Sequence, residues 1–347
     1  MNSYMNSNKV LTIIIPTYNM ENYLRKCLES LLVSQENMDS LEVLVVNDGS
    51  KDSSSDIAHE FELKYKGLFR VIDKENGNYG SCVNRGLKEA TGKYVKVIDA
   101  DDYSDSVLLD KYISFLRELD VDLIISDFNV VSSSGKIIQT NIYTHLIDPE
   151  QGIVIYRELI NHKANIALQM HAITYRLSLL REMSYRQTEG ISYTDTEWAT
   201  KPMTRVKSVC YFHYPIYNYL IGREGQTMSS YSEVANPKQL FEVIKNISSF
   251  YQEQNYDLDY DLYVAAKLKK AISIIYEAGL KYHSMSLEEL RDYDEQLKYY
   301  PKAYKLTDTL KLIHDHINYV RYWRSGNLIE QLVFIKLPLL LRKIIKR

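Results

Sequence analysis

A chain of 347 residues is long enough for one large domain and a smaller one. Its 45% hydrophobic and 25% charged residues exclude disordered and collagen-like classes, and a formal net charge of −3 gives no basis for a nucleic-acid partner. Three scattered cysteines, Cys27, Cys82 and Cys210, form neither a disulfide framework nor a zinc spacing and fit a reducing compartment. The apolar run at 10–15 is too short for a signal core or a membrane span, so a cytoplasmic location is expected. The unusual count is 30 tyrosines against 8 Phe and 2 Trp, which suits sugar-facing surfaces and equally arises from compositional drift.

In chain order, the first half alternates strand and helix patterns. Residues 10–15 are continuously apolar and β-branched and stop at Pro16, the pattern of a buried parallel strand. Helical spacing follows in Tyr23, Leu24, Cys27, Leu28, Leu31 and Leu32, with Asn19 as candidate N-cap. Further strands are expected at 41–46, 69–72, 94–98 and 122–131, with helices after Ser53, near 82–90 and at 106–119. This order predicts an α/β fold with a doubly wound, mostly parallel sheet. Ligands of such sheets bind beyond the carboxyl ends of the strands. The polar clusters at 17–19, 47–50, 74–80 and 99–102 all follow strands and should meet in one crevice. After Asn236-Pro237 the chain reads as helix, near 238–253, 258–281, 286–297 and 304–322. The end, 328–347, is apolar and basic and is interrupted by Pro338.

The chemistry centres on Asp99-Ala100-Asp101-Asp102 at a strand end. Crowded carboxylates repel one another unless a cation neutralises them, and hard oxygen ligands suit Mn²⁺ or Mg²⁺ bridging a diphosphate. An acidic turn with a helix cap explains the same residues without a metal. Asp48, in Asn47-Asp48-Gly49-Ser50, can accept from a base N–H or a ribose hydroxyl, although a plain turn also accounts for it. Asn76-Gly77-Asn78-Tyr79-Gly80, with Asn84 and Arg85, adds flexible backbone and polar side chains at the next strand exit.

These three clusters, preceded by Ile13-Ile14-Ile15-Pro16-Thr17-Tyr18-Asn19, resemble the family-2 inverting glycosyltransferases of GT-A fold in order, spacing and strand-end placement over residues 9 to about 230. The resemblance implies a nucleotide-sugar donor, with Thr17, Tyr18 and Asn19 beside the base, Asp48 reading uracil or ribose, and Asn78 and Asn84 lining the donor site. It implies Asp99 and Asp101 on metal and donor, with Asp102 close by. It implies a catalytic base at Asp195, in Ser192-Tyr193-Thr194-Asp195-Thr196-Glu197, where Thr194 departs from the usual acid. Glu197 and Glu189 are the other candidates for that base. Arg223, in the closing segment Tyr217 to Ser229, could clamp diphosphate oxygens. His171 and His213 are additional candidate ligands, although a lone histidine is more often structural.

Transferase domain bounds of 9–232 follow, divided near 130 into donor and acceptor halves, with a helical region at 235–347 for acceptor, oligomer or membrane contact. Without a Gln-x-x-Arg-Trp segment or long membrane helices, the resemblance implies single transfers to a saccharide or lipid-linked saccharide, in bacterial surface-polysaccharide synthesis. The segment 328–347 could lie on the inner leaflet as a peripheral contact. A homo-oligomer is left open. A dinucleotide-binding dehydrogenase is excluded because Pro-Thr-Tyr-Asn, and no Gly-x-Gly-x-x-Gly, follows the first strand. An aspartate-nucleophile phosphatase would carry Asp-x-Asp after the first strand, whereas here it follows the fourth. The alternative from a non-enzyme class is a nucleotide-sugar-binding or scaffold subunit without turnover.

Overall fold

Two runs in which every residue is buried, β1 (Leu11–Thr17) and β2 (Leu41–Asn47), lie side by side and parallel; covered on both faces, they are mostly apolar, and the buried Thr12 hydroxyl donates to Glu42 at 2.6 Å across the pair. The computed structural model describes residues 9–161, 168–223, 228–230, 233–234, 236–253, 258–310 and 319–326. The chain divides into two compact units, Met1–Glu224 and Gly225–Arg347.

In the first unit, α1 (Leu24–Glu29) and the short α2 (Gln35–Met38) connect β1 to β2. Then α3 (Ser54–Lys64) leads to β3 (Phe69–Asp73), and α4 (Asn78–Glu89) to β4 (Tyr94–Val97). The next elements are β5 (Tyr103–Ser104), α5 (Ser106–Arg117), β6 (Leu123–Ser132), β7 (Ile137–Asn141), β8 (Val154–Ile155) and α6 (Tyr156–Asn161). A 3₁₀ turn (Met170–Ala172), β9 (Ile173–Arg176), α7 (Leu177–Glu182), α8 (Asp195–Trp198) and β10 (Ser208–Ile221) complete it.

The strand order is β3-β2-β1-β4-β9-β6-β10-β5, with β7 beside β6 and β8 beside β10. The β3-β2-β1-β4 half is parallel throughout, as the alternating strand and helix patterns require. Beyond β4 the sheet becomes mixed: β9 enters antiparallel to both β4 and β6, and β10 runs parallel to β6. This insertion brings the turn at 170–172 to the carboxyl end of β4. Close helix packing depends on a missing side chain, since a Cβ on Gly86 would come within 2.5 Å of Ile14.

The helix after β1 begins later than the pattern suggests. Asn19 is not its cap: its backbone is left-handed (φ 53°) and its Oδ1 accepts from the Lys51 N–H at 2.8 Å, so it stitches two loops together. The helix starts after Tyr23 with no side-chain cap.

The second unit holds a hairpin, β11 (Met228–Ser230) with β12 (Glu233–Val234), and the helices α9 (Pro237–Glu253), α10 (Leu258–Glu277), α11 (Leu287–Leu297), α12 (Pro301–Leu306) and α13 (Tyr319–Ser325). A π-helical turn (Ala278–Tyr282) extends α10, and a capping box of Ser286 and Glu289 starts α11. The helix expected over 304–322 stops early. Its last turn tightens to 3₁₀ at Thr307–Thr309 and Leu310 is extended (ψ 129°). Phe241 and Tyr293 stack at 4.3 Å between centroids, joining α9 to α11. Among the described residues no helix is long and apolar enough to cross a membrane, and 328–347 lies outside them.

Candidate functional site

The polar strand ends do converge. At the end of β1, Thr17 is buried, its hydroxyl donates to the Ile15 carbonyl and its own carbonyl accepts from the Asp48 N–H at 2.8 Å. Tyr18 follows with its side chain exposed. At the end of β2, Asp48 is buried and its Oδ1 accepts from Lys74 Nζ at 2.5 Å and from the Gly77 N–H at 2.9 Å. A buried carboxylate with a cation and a backbone donor is fixed in one rotamer. Asn78 opens α4 in a left-handed conformation (φ 65°).

At the end of β4, Asp99, Asp102 and His171 gather with their ligand atoms all within 4.8 Å of one another. The Tyr79 hydroxyl donates to Asp99 Oδ1 at 2.9 Å. Tyr217 from β10 donates to Asp102 Oδ2 at 2.5 Å, and the Leu220 N–H donates to Asp102 Oδ1 at 2.7 Å. His171 arrives through the β9 insertion, its ring packed on Phe128, Tyr217 and Tyr219 and its carbonyl held by Lys96 Nζ at 2.6 Å. Lys96 is itself fully buried, and burial lowers its amine to about 7.

The electrostatics of this cluster are unfavourable without a ligand. Burial, then the charge of Asp101, pushes Asp99 up to about 7. The same causes, with Asp99 added, push Asp102 well above the carboxylate range. Burial, then the charge of Lys96, lowers His171 to about 3, so its ring is a neutral imidazole. Its Nδ1 is buried and has no hydrogen-bond partner among the described residues. Two carboxylates, a neutral imidazole and an orphaned ring nitrogen fit a divalent cation such as Mn²⁺ or Mg²⁺. Asp101, expected on the metal beside Asp99, forms a close ion pair with Arg223 Nε. The Arg223 guanidinium also lies 5.6 Å from the centroid of the Tyr23 ring.

Asp195 opens α8 as a half-buried residue, and its charge raises both Asp99 and the Tyr79 hydroxyl after burial and nearer charges have acted. The loop ahead of it is held against α4. The Gly190 N–H donates to the Gly77 carbonyl at 2.9 Å, and a Cβ on Gly80 would lie 2.0 Å from the Thr188 carbonyl oxygen, so only glycine permits this approach. Tyr193, two residues before Asp195, is left-handed (φ 66°), a conformation that costs a bulky residue energy and is retained where geometry matters.

Several expected site residues have other partners. Asn84 donates to the Gln187 carbonyl (2.9 Å) and to Glu189 (2.8 Å) and accepts from the Gln187 N–H, so it clips this loop to α4. Glu189 is thereby held below the usual carboxylate range by Asn84 and then Arg186, which leaves a poor base. Glu197 is fully buried and accepts from Thr188 N–H (2.7 Å), Thr188 Oγ1 (2.9 Å) and Lys201 (2.9 Å), the connections of a structural carboxylate. His213 is exposed and packs on Tyr214 at 4.3 Å, away from the cluster. Sequence reasoning did not single out Tyr79 and Tyr217 as partners of the two aspartates. The available signal was a tyrosine inside each flanking motif.

The Glycosyl transferase family 2 model matches residues 12–179. An uncharacterized glycosyltransferase of Mycoplasma genitalium is 30% identical over 240 residues, covering 67% of this chain and 74% of that protein. The crystal structure of S. aureus TarS in complex with UDP-GlcNAc is similar with a TM-score of 0.69 at 21% identity, covering 92% of this chain and 89% of that one. The mannosyltransferase PcManGT of Pyrobaculum calidifontis, in complex with GDP-Man and Mn²⁺, gives a TM-score of 0.52 at 15% identity over 86% and 83% of the two chains. With its polar strand ends, its aspartate cluster and this relative over two thirds of its length, the chain belongs to family 2 of the glycosyltransferases.

Proposed function

We propose that this protein transfers one sugar at a time from a UDP-linked donor to a saccharide or lipid-linked saccharide, with inversion at the anomeric carbon. The observation that carries this reading is the gathering of Asp99, Asp102 and His171 at the end of β4, with Asp195 within electrostatic reach. The complex of S. aureus TarS with UDP-GlcNAc supports a UDP-sugar, and the Mn²⁺ in the Pyrobaculum mannosyltransferase supports a divalent cation.

In this reading Thr17 and Tyr18 flank the base, and Asp48, fixed by Lys74 and Gly77, reads uracil or ribose. Asp99, Asp102 and His171 hold Mn²⁺ or Mg²⁺, with Asp101 available if Arg223 moves onto the diphosphate. When bound, the cation would offset the negative charge that builds on the departing nucleotide. Asp195 accepts the proton of the acceptor hydroxyl. That oxygen forms its bond to the anomeric carbon on the face opposite the diphosphate, and the broken C–O bond's electron pair leaves with the nucleotide. No enzyme-bound sugar intermediate is needed. The transferase domain spans 9–232, and 235–347 shapes the acceptor site or a subunit or inner-leaflet contact. Assembly of a bacterial surface polysaccharide, on the cytoplasmic side, is the setting that suits this chemistry.

Calorimetry against UDP-, GDP- and dTDP-sugars, with and without Mn²⁺, tests the reading. One donor should bind only with metal, and Asp99→Asn should abolish that binding. If no nucleotide binds under either condition, the transferase reading fails.

A further inference from the structure

A groove of about 600 Å³ runs from Lys74, at the end of β3, along the flank of the first unit between α4 and α7. Five of its lining side chains are cationic, Lys74, Arg85, Lys88, Arg181 and Arg186, against one carboxylate, Glu189. That balance is opposite in sign to the −3 of the whole chain. Three of the cations have carboxylate partners: Lys74 with Asp48 (2.5 Å), Arg85 with Glu89 (3.1 Å) and Arg186 with Glu189 (2.8 Å). The other two are not neutralised. Arg181 donates to the Ala90 carbonyl at 2.7 Å, which carries no charge to offset it. Lys88 is exposed and has no ion-pair partner among the described residues. Beneath this rim the floor is apolar, made by the buried Leu87, Leu177 and Leu180.

Uncompensated cations over an apolar floor suit an anion attached to a carbon body. A phosphate ester presents several oxygens to donors on different sides, as a Lys and an Arg from facing elements require. The donor's diphosphate is expected at the aspartate cluster, toward the other end of α4 from Lys88. Tyr79, which contacts Asp99, and Lys88 are nine positions apart on α4, roughly 13 Å at the helical rise. Lys74 lines the groove and also holds Asp48, so the groove opens toward the donor side.

We propose that this groove is an anion subsite that takes a phosphate ester carried by the acceptor. The proposal rests on the transferase reading for the word acceptor; the subsite itself stands on the groove. The full-length chain, saturated with UDP and Mn²⁺ to fill the donor crevice, is titrated calorimetrically with phenyl phosphate. The double variant Lys88→Glu/Arg181→Glu follows, which reverses the un-neutralised cation on each of the two facing helices, with Lys88→Gln as the milder change. Phenyl phosphate should bind the wild-type chain, and the double variant should weaken it roughly tenfold while leaving UDP affinity unchanged, which also reports an intact fold.

Absence of binding, or equal binding by wild type and variant, overturns the subsite. If UDP itself fails to bind with or without metal, the transferase reading falls, and phenyl phosphate titrated alone still decides the groove. Sedimentation with phosphatidic-acid vesicles, against neutral vesicles, separates the two carriers of the phosphate. Pelleting lost in the double variant assigns a lipid-linked acceptor, whereas phenyl phosphate binding without pelleting assigns a soluble one.

Discussion

Each unit buries an aspartate beside a tyrosine hydroxyl, and the two sites are resolved in opposite ways. In the helical unit Asp294 accepts from Tyr276 and forms a close ion pair with Arg324, whose Nη1 also reaches Thr307 at 2.9 Å. That carboxylate is matched by a guanidinium and pins α13 to α10 and α11. In the sheet unit Asp99 and Asp102 take hydroxyls from Tyr79 and Tyr217 and face a neutral His171 and each other. Arg223, whose charge partly offsets Asp99, is itself in a close ion pair with Asp101. A compensated buried charge belongs to the architecture. An uncompensated cluster is tolerated where an ion or substrate completes it.

The sharpest way to break this comparison is to remove the charge of Asp195, which acts on Asp99 and is proposed above as the base for the acceptor hydroxyl. Asp195→Asn should cut turnover roughly a thousandfold with donor binding retained, read by product formation and calorimetry. Equal turnover would remove Asp195 from the chemistry. Next in size, Asp294→Ala strands Arg324 and should lower stability by about 3 kcal/mol in urea unfolding. Asp294→Leu with Arg324→Met should recover most of that loss, because it removes both charges together. Asp99→Asn should do the reverse of Asp294→Ala: with one repelling charge gone and the acceptor for Tyr79 kept, stability rises by about 1 kcal/mol while metal binding is lost. A fall in stability would place Asp99 with Asp294 as an architectural charge.

These differences explain what could be read from the sequence. β1 and β2 were legible because burial on both faces leaves a mostly apolar run, and the strand-end aspartates stood out against such runs. The four-residue β9 was not legible, because an insertion between β4 and β6 is settled by pairing across the sheet rather than by its own pattern. With it His171 became a cluster member only in three dimensions. The ion pair of Asp101 was not legible either, because its partner Arg223 lies 122 positions away. Asn84 looks like any polar residue on a helix, and only its bonds to Gln187 and Glu189, more than 100 positions away, make it a clip. The break after Leu306 was hidden because the local apolar spacing continues past it.

A third class of charge lies between the two extremes: compensated but solvated. His59 on α3 hydrogen-bonds Asp73 through Nε2 at 2.8 Å and Glu62 through Nδ1 at 2.9 Å, with its side chain 43% exposed. The Asp73 hydrogen bond, opposed by partial burial and aided by Glu62, raises the His59 pKa above 6.5. A raised folded-state pKa means the stabilisation is fully present below the unfolded value and fades as pH rises through the folded one. His59→Gln should therefore lower the melting temperature most at about pH 6 and little at about pH 9, by at most roughly 2 °C because exposure screens the pair. Asp73 also accepts from Asn47 (2.7 Å) and Ser55 (2.9 Å), so it keeps partners in the variant and the difference isolates the imidazolium. A pH-independent difference would mean that His59 acts through packing alone, and that solvated pairs in this fold contribute shape rather than charge.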